Sequence, residues 1–142
     1  MPRVPTVRFR VDFGSQCSIG VGKIELLEGI ARTGSLSEAA RQMRMSYRRA
    51  WLLLADLNLS FDRPVAHTST GGRGGGGATL TAFGKRLVGG YRKLEDRLQS
   101  LAGGFLRDFG HRVNQTRAQK LVPVASIKRK PMTRRKRARG HK

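Results

Sequence analysis

The sequence predicts a mainly α-helical fold with a small β-hairpin wing: a winged helix-turn-helix, then a long C-terminal helix and a basic tail. Three observations lead there. Hydrophobic spacing shifts along the chain in the order strand, helix, short helix, tight turn, helix, hairpin, long helix. Serines stand where the second and third helices would begin. The 142 residues carry 29 Lys and Arg against nine Asp and Glu, a formal net charge of +20, so polyanions are the expected partners.

Val7 to Phe13 (V-R-F-R-V-D-F) alternates apolar with charged residues, the period of a half-buried strand. Gly14 to Gly20 reads as a turn-rich link. Val21 to Arg32 is helical: Ile24, Leu27, Ile30 and Ala31 recur at three- and four-residue spacing, and Thr33-Gly34 stops it. Ser35 and Glu38 have the spacing of a capping box, in which the hydroxyl accepts an orphan amide and the carboxylate reaches back. The short helix that follows turns Leu36, Ala39, Ala40 and Met43 inward, the two alanines being small enough for a close helix crossing. Arg44-Met45 is a tight break. Ser46 then caps a third helix, Tyr47 to about Asn58, with Ala50, Leu53, Leu54 and Leu57 inward.

Val65 to Thr70 and Ala78 to Leu80 read as two strands around residues 71–77, six glycines in seven positions. Thr81 caps a fourth helix. Along it Phe83, Leu87, Tyr91, Leu94, Leu98, Leu101 and Phe105 alternate at three and four residues, a seam suited to a second helix. Gly89-Gly90 costs about 1 kcal/mol per residue relative to alanine, which predicts a kink or a close neighbour there. Gly103-Gly104 ends or frays the helix. The division is therefore a body at residues 1–110, with a dimerisation helix over about 81–102, and a tail at 111–142. The tail holds twelve of the basic residues and no acid, leaving 17 basic groups against nine acids in the body. Ile127 to Lys142 buries too little apolar surface to offset chain entropy and is expected to be disordered.

Several functions are excluded or demoted. The central apolar stretch, Ala50 to Ala55, falls far short of the roughly 18 residues a membrane span needs. The N-terminus lacks the pattern of a secretory signal, so a cytoplasmic protein without a membrane partner is expected. One cysteine, Cys17, rules out an internal disulfide and a cysteine-rich zinc site, and His67, His111 and His141 are scattered. No metal, no cofactor and no enzymatic activity are expected. Gly72, Gly74 and Gly77 formally match a dinucleotide fingerprint, with Glu95 near the ribose-binding spacing. The flanks are not a strand–helix–strand unit, however, and a flexible wing tip or a plain surface loop fits better.

The first turn of the third helix is Ser46-Tyr47-Arg48-Arg49. In a helix-turn-helix this turn enters the major groove. Arginine suits bidentate contact with guanine O6 and N7, and hydroxyls suit phosphates. Ser35, Ser37 and Arg41 of the short helix are the candidate backbone contacts. Thr70 and Arg73 are the candidates in the wing, where glycine lets the chain approach DNA and Arg73 reaches phosphate or the minor groove. Tyr47 is the better stacking candidate, and Trp51 is expected in or beside the core. The competing reading is a three-helix core with a solvated basic face.

Four strings carry a family resemblance: Ile24-Glu25-Leu26-Leu27, Gly34-Ser35-Leu36-Ser37-Glu38-Ala39-Ala40-Arg41, Met45-Ser46-Tyr47-Arg48-Arg49-Ala50-Trp51, and residues 71–81. Together they resemble the N-terminal domain of the molybdate-responsive transcriptional regulators, the ModE family, and more distantly the LysR-type winged helix. The resemblance covers about residues 5 to 105. S-Y-x-x-A-W and G-G-x-G-G-G-G-A-x-L-T are its specific strings, whereas G-S-L-S-x-A-A is shared with LysR-type proteins. It implies a homodimeric winged helix-turn-helix that binds a palindromic site on double-stranded DNA, joined along the seam of Phe83, Leu87, Tyr91, Leu94, Leu98 and Leu101. Long members of the family carry C-terminal oxyanion-binding domains, for which the residues after the long helix leave no room. The expectation is a stand-alone DNA-binding version, a transcriptional regulator to which molybdate does not bind. The alternative is a basic nucleic-acid-binding or ribonucleoprotein component without sequence choice.

Overall fold

In a computed structural model of the chain, residues 4–69 and 76–113 are described. Thr70, Arg73, the glycine run as far as Gly75 and the tail beyond Val113 lie outside them. Residues up to Gly110 form one compact unit. It opens with a hairpin. Strand β1, Arg10–Phe13, pairs antiparallel with β2, Cys17–Gly20, from Arg10 opposite Gly20 to Phe13 opposite Cys17. This corrects two expectations. The alternating segment is strand only from Arg10, because the Val7 amide donates at 2.7 Å to Gln99 Oε1 instead of entering a ladder. Half of the supposed link is strand β2: Gly14, at φ +74°, makes the turn, and Cys17 and Ile19 alternate into the core.

Helix α1, Val21–Thr33, ends where Gly34, at φ +68°, returns its N–H to the Ile30 carbonyl at 2.8 Å, a left-handed closure that glycine adopts without strain. Helix α2, Leu36–Gln42, starts on Ser35, whose hydroxyl accepts the Glu38 amide at 3.2 Å. The return half of the capping box is not formed. Glu38 pairs with Arg41 (Nε to Oε2, 3.0 Å), and the Ser35 amide donates to Thr33 Oγ1 at 3.2 Å. The full charge of Arg41 draws the carboxylate away from a neutral amide that already has a partner. Arg44 makes the tight break at φ +56°. Helix α3, Tyr47–Ser60, runs slightly past its expected end and buries Ala50, Leu54 and Leu57. An added Cβ on Gly29 would stand 3.0 Å from Ala39 Cβ, so α1 and α2 do cross closely.

Strands β3, Ala66–Thr68, and β4, Ala78–Leu80, form the expected second hairpin, with Ala66 opposite Leu80. Two ties seat it on the helices. Asn58, near the end of α3, accepts the Val65 amide at 2.8 Å and donates to the Ala66 carbonyl at 3.1 Å. The Ala78 amide donates to the Gly34 carbonyl at 2.8 Å. Helix α4, Ala82–Leu101, is capped by Thr81, which accepts the Gly84 amide at 3.0 Å and donates to the Pro64 carbonyl at 2.8 Å. It runs unbroken through Gly89-Gly90, and nothing lies within 4 Å of an added Cβ at either. No neighbour among the described residues therefore accounts for this pair. A short helix α5, Gly103–Gly110, follows.

The core gathers Ile19, Ile24, Leu26, Leu27, Ile30, Leu57 and Val65, all fully buried. Helix α4 joins it through Tyr91, whose ring stacks on Phe9 at 4.4 Å and whose hydroxyl donates to the Phe9 carbonyl at 2.8 Å. Beside it Arg92 grips Glu28 of α1 with both Nε and Nη2 at 2.8 Å, and Glu95 at 2.6 Å. The hydrogen bond from Arg92 holds the Glu28 carboxyl below its usual value of 4.5. A depressed folded-state pKa contributes stability above the unfolded value, and this is lost as pH falls through the folded one. Thermal unfolding from pH 6 to 3 is therefore expected to lose stability faster below about pH 4.5 in the native chain than in Glu28→Gln. The side chains are about a third exposed (33% and 31%), so the difference stays under about 1 kcal/mol. Parallel curves would mean that the pair adds nothing. Among the described residues no helix is long and apolar enough to cross a membrane.

Candidate nucleic-acid interface

The first turn of α3 is set by Ser46, whose hydroxyl accepts the Arg49 amide at 3.1 Å. That bond satisfies one of the orphan donors of the helix start and leaves the following side chains pointing into solvent. Tyr47, Arg48 and Arg49 are all exposed. Several other arginines of the body are engaged: Arg32 with Gln42, Arg41 with Glu38 and Arg63 with Asp62. Arg48 and Arg49 have no ion pair or side-chain hydrogen bond among the described residues, and neither has Arg44 in the preceding turn. Three unpaired guanidinium groups thus fall within six residues. Sequence reasoning read Arg44 only as a breaker. No sequence signal singled it out: its left-handed φ is seen only in the structure.

Of the other expected contacts, Ser37 lines a common cleft with Tyr47. The Ser35 hydroxyl is occupied as a cap acceptor, Ser37 is exposed, and Arg41 is exposed but paired with Glu38. An exposed pair of this kind is weak and can open to a phosphate. Thr70 and Arg73 fall outside the described residues. Trp51 departs from expectation. It borders buried Leu36, yet half of its surface is exposed. The reason is helical geometry: Ala50 and Leu54 take the inward positions, and residue 51 lies one turn beyond Tyr47, on the outer side.

The long-helix seam divides. Phe83 and Leu87 are partly buried, Phe83 packing edge-on against Phe61 at 5.2 Å, and Tyr91 is buried, all on the chain's own core. Leu98 is half-buried, while Leu94 and Leu101 are exposed, the latter at 81%. A shallow, mainly apolar groove of about 230 Å³ runs beside Gly90, between Phe13, Leu87 and Leu94. Among the described residues no group of three or more His, Cys, Asp or Glu could hold a metal ion.

Comparison with known proteins matches residues 21–85 to the bacterial regulatory helix-turn-helix proteins of the lysR family. Residues 21–85 are thus similar to a LysR-type helix-turn-helix domain. The matched stretch runs from the start of α1 to just past Gly84, and so takes in the three helices, the hairpin wing and the Thr81 cap. The chain is also similar to the molybdenum-pterin-binding protein MopA of Rhodobacter capsulatus, 40% identical over 85 residues, which is 60% of this chain and 32% of that protein. It is 34% identical over 113 residues to the molybdenum transport protein ModE of Azotobacter vinelandii, covering 72% of this chain and 42% of that one. To the DNA-binding transcriptional dual regulator ModE of Escherichia coli K12 it is 41% identical over 66 residues, 46% of this chain and 25% of that one. The chain thus spans between a quarter and about two fifths of these relatives. In each case the similarity covers less than half of the relative.

Proposed function

We propose that this chain is a transcriptional regulator that binds double-stranded DNA at specific sites as a homodimer. One observation carries the reading: the Ser46-capped turn of α3 exposes Tyr47 and two guanidinium groups, Arg48 and Arg49, without a partner among the described residues, and this is the turn that enters the major groove in a helix-turn-helix. Arginines free of internal partners meet guanine edges without first breaking an ion pair. Ser35, Ser37 and Arg41 then touch the backbone, with Thr70 and Arg73 as the wing contacts. Residues 111–142 add phosphate contacts that raise affinity without reading bases. The outer end of the seam, exposed Leu94 and Leu101 with half-buried Leu98 between them, joins the two copies, and the open flank at Gly89-Gly90 leaves room for a partner helix. The activity is binding rather than catalysis, in the cytoplasm.

Selection of duplexes from a randomised pool, followed by competition against random duplex at raised salt, tests this. The expected product is an inverted repeat with half-sites about 10 base pairs apart or a multiple of that. Enrichment of nothing would favour a basic nucleic-acid binder without sequence choice, a reading that the +20 charge also supports. Relatives named for molybdenum extend well beyond the part matched here. On this reading micromolar molybdate, compared with equal sulfate at fixed ionic strength, leaves the affinity of this chain unchanged. A saturable tenfold shift with molybdate alone, about 1.4 kcal/mol of coupling, would overturn that part.

A further inference from the structure

A cleft of about 190 Å³ lies where α2, α3 and the wing meet. Ser37 of α2, Tyr47 and Trp51 of α3, and Thr68 and Ser69 of the wing line it, and among the described residues no charged side chain of either sign does. The Ser69 hydroxyl is spent within the hairpin, accepting the Gly77 amide at 3.1 Å. The hydroxyls of Ser37, Tyr47 and Thr68 and the indole N–H of Trp51 have no hydrogen-bond partner among the described residues. At about 30 Å³ per water the space holds roughly six waters, enough for a phosphate group. The cleft is also held in place, because the Ala78–Gly34 and Asn58–Ala66 bonds fasten the wing to the helices on either side.

The position limits what can enter. A helix in the major groove and a wing over the neighbouring minor groove are separated by one sugar–phosphate strand, which must cross between them. Hydroxyl and indole donors match phosphate oxygens, and no carboxylate among the described residues lines the cleft to repel them. We propose that this cleft seats one backbone phosphate of that strand, held by the neutral donors of Ser37, Tyr47, Trp51 and Thr68, with Trp51 and Thr68 as the positioning residues. The proposal rests on the DNA-binding reading above. A phosphate held this way sets the register of α3 against the wing. It releases no counterions, since the salt dependence of binding counts phosphates neutralised by Lys and Arg.

The test uses the full chain and a duplex recovered by the selection. Trp51→Phe keeps the ring and removes the N–H; Thr68→Val keeps the shape and removes the hydroxyl. Each is expected to weaken binding about fivefold, the size of one lost hydrogen bond, with the slope of log affinity against log salt unchanged. Arg48→Ala, by contrast, lowers that slope by about 0.9 if it meets a phosphate. One uncharged methylphosphonate on the strand between the grooves weakens the native chain similarly and costs Trp51→Phe nothing further. Unchanged binding by both variants, at native melting temperature, overturns the proposal. So does coupling of Trp51 to a thymine methyl, read by replacing thymine with uracil, rather than to a phosphate. If the native chain selects no duplex, the underlying DNA reading fails first and the proposal falls with it.

Discussion

Gly84→Ala is expected to cost about 3 kcal/mol or more of stability, enough to unfold much of the chain at moderate temperature. An alanine Cβ there would stand 2.0 Å from the Val65 carbonyl oxygen and 2.9 Å from its carbon. Both obstacles are backbone, so no rotamer change relieves the clash. Val65 cannot retreat easily: its carbonyl accepts the Thr81 amide at 3.0 Å and its own amide donates to Asn58 at 2.8 Å. Its side chain is fully buried. The strain would fall on the junction of α3, β3 and α4 that holds the wing. Gly89→Ala is the control, since nothing lies within 4 Å of that Cβ. It is expected to stabilise by about 0.5–1 kcal/mol through helix propensity. Chemical denaturation of the two variants beside the native chain gives the comparison, and equal midpoints would contradict the packing described for Gly84.

Arg49→Ala and Arg48→Ala are expected to lose about 1–3 kcal/mol of binding to a selected duplex and much less to random duplex. Both side chains project from the turn that Ser46 caps, and neither has an internal partner to lose among the described residues. Their removal should leave the melting temperature nearly unchanged, which separates them from Gly84. Equilibrium titrations of both duplexes at two salt concentrations give the measurement. Equal losses on specific and random DNA, with a flatter salt dependence, would reassign the two arginines to phosphates. Ser46→Ala should cost about 1 kcal/mol of stability through the lost cap and weaken binding indirectly by loosening the turn.

Local chemistry is legible in the one-dimensional order of residues. The three caps, Ser35, Ser46 and Thr81, each bond an amide three residues ahead, so spacing alone locates them. The inward faces of α2 and α3 follow from helical period in the same way. What distant parts of the chain must settle is not legible. Strand β2 has only four residues, too few for a pattern to compete with its flanking glycines, and it gains its stability by pairing with β1 and burying Ile19. Glu38 had two possible partners, and the position of Arg41 chose between them.

The long seam shows the same boundary. Its period determined that α4 has an apolar face, but a period carries no information about what that face meets. Tyr91 turned to Phe9, 82 residues away, and drew Leu87 and Phe83 onto the chain's own core. Leu94 and Leu101 were left in solvent. Trp51 was likewise decided by its neighbours, because Ala50 and Leu54 filled the inward positions and turned the indole toward the wing. The sequence by itself determined where helices α1 to α4 lie and start, and that the first turn of α3 carries two arginines. Only the tertiary structure decided how each apolar face was spent, because burial is a competition among all surfaces at once, whereas a cap or a helical turn is settled within a few residues.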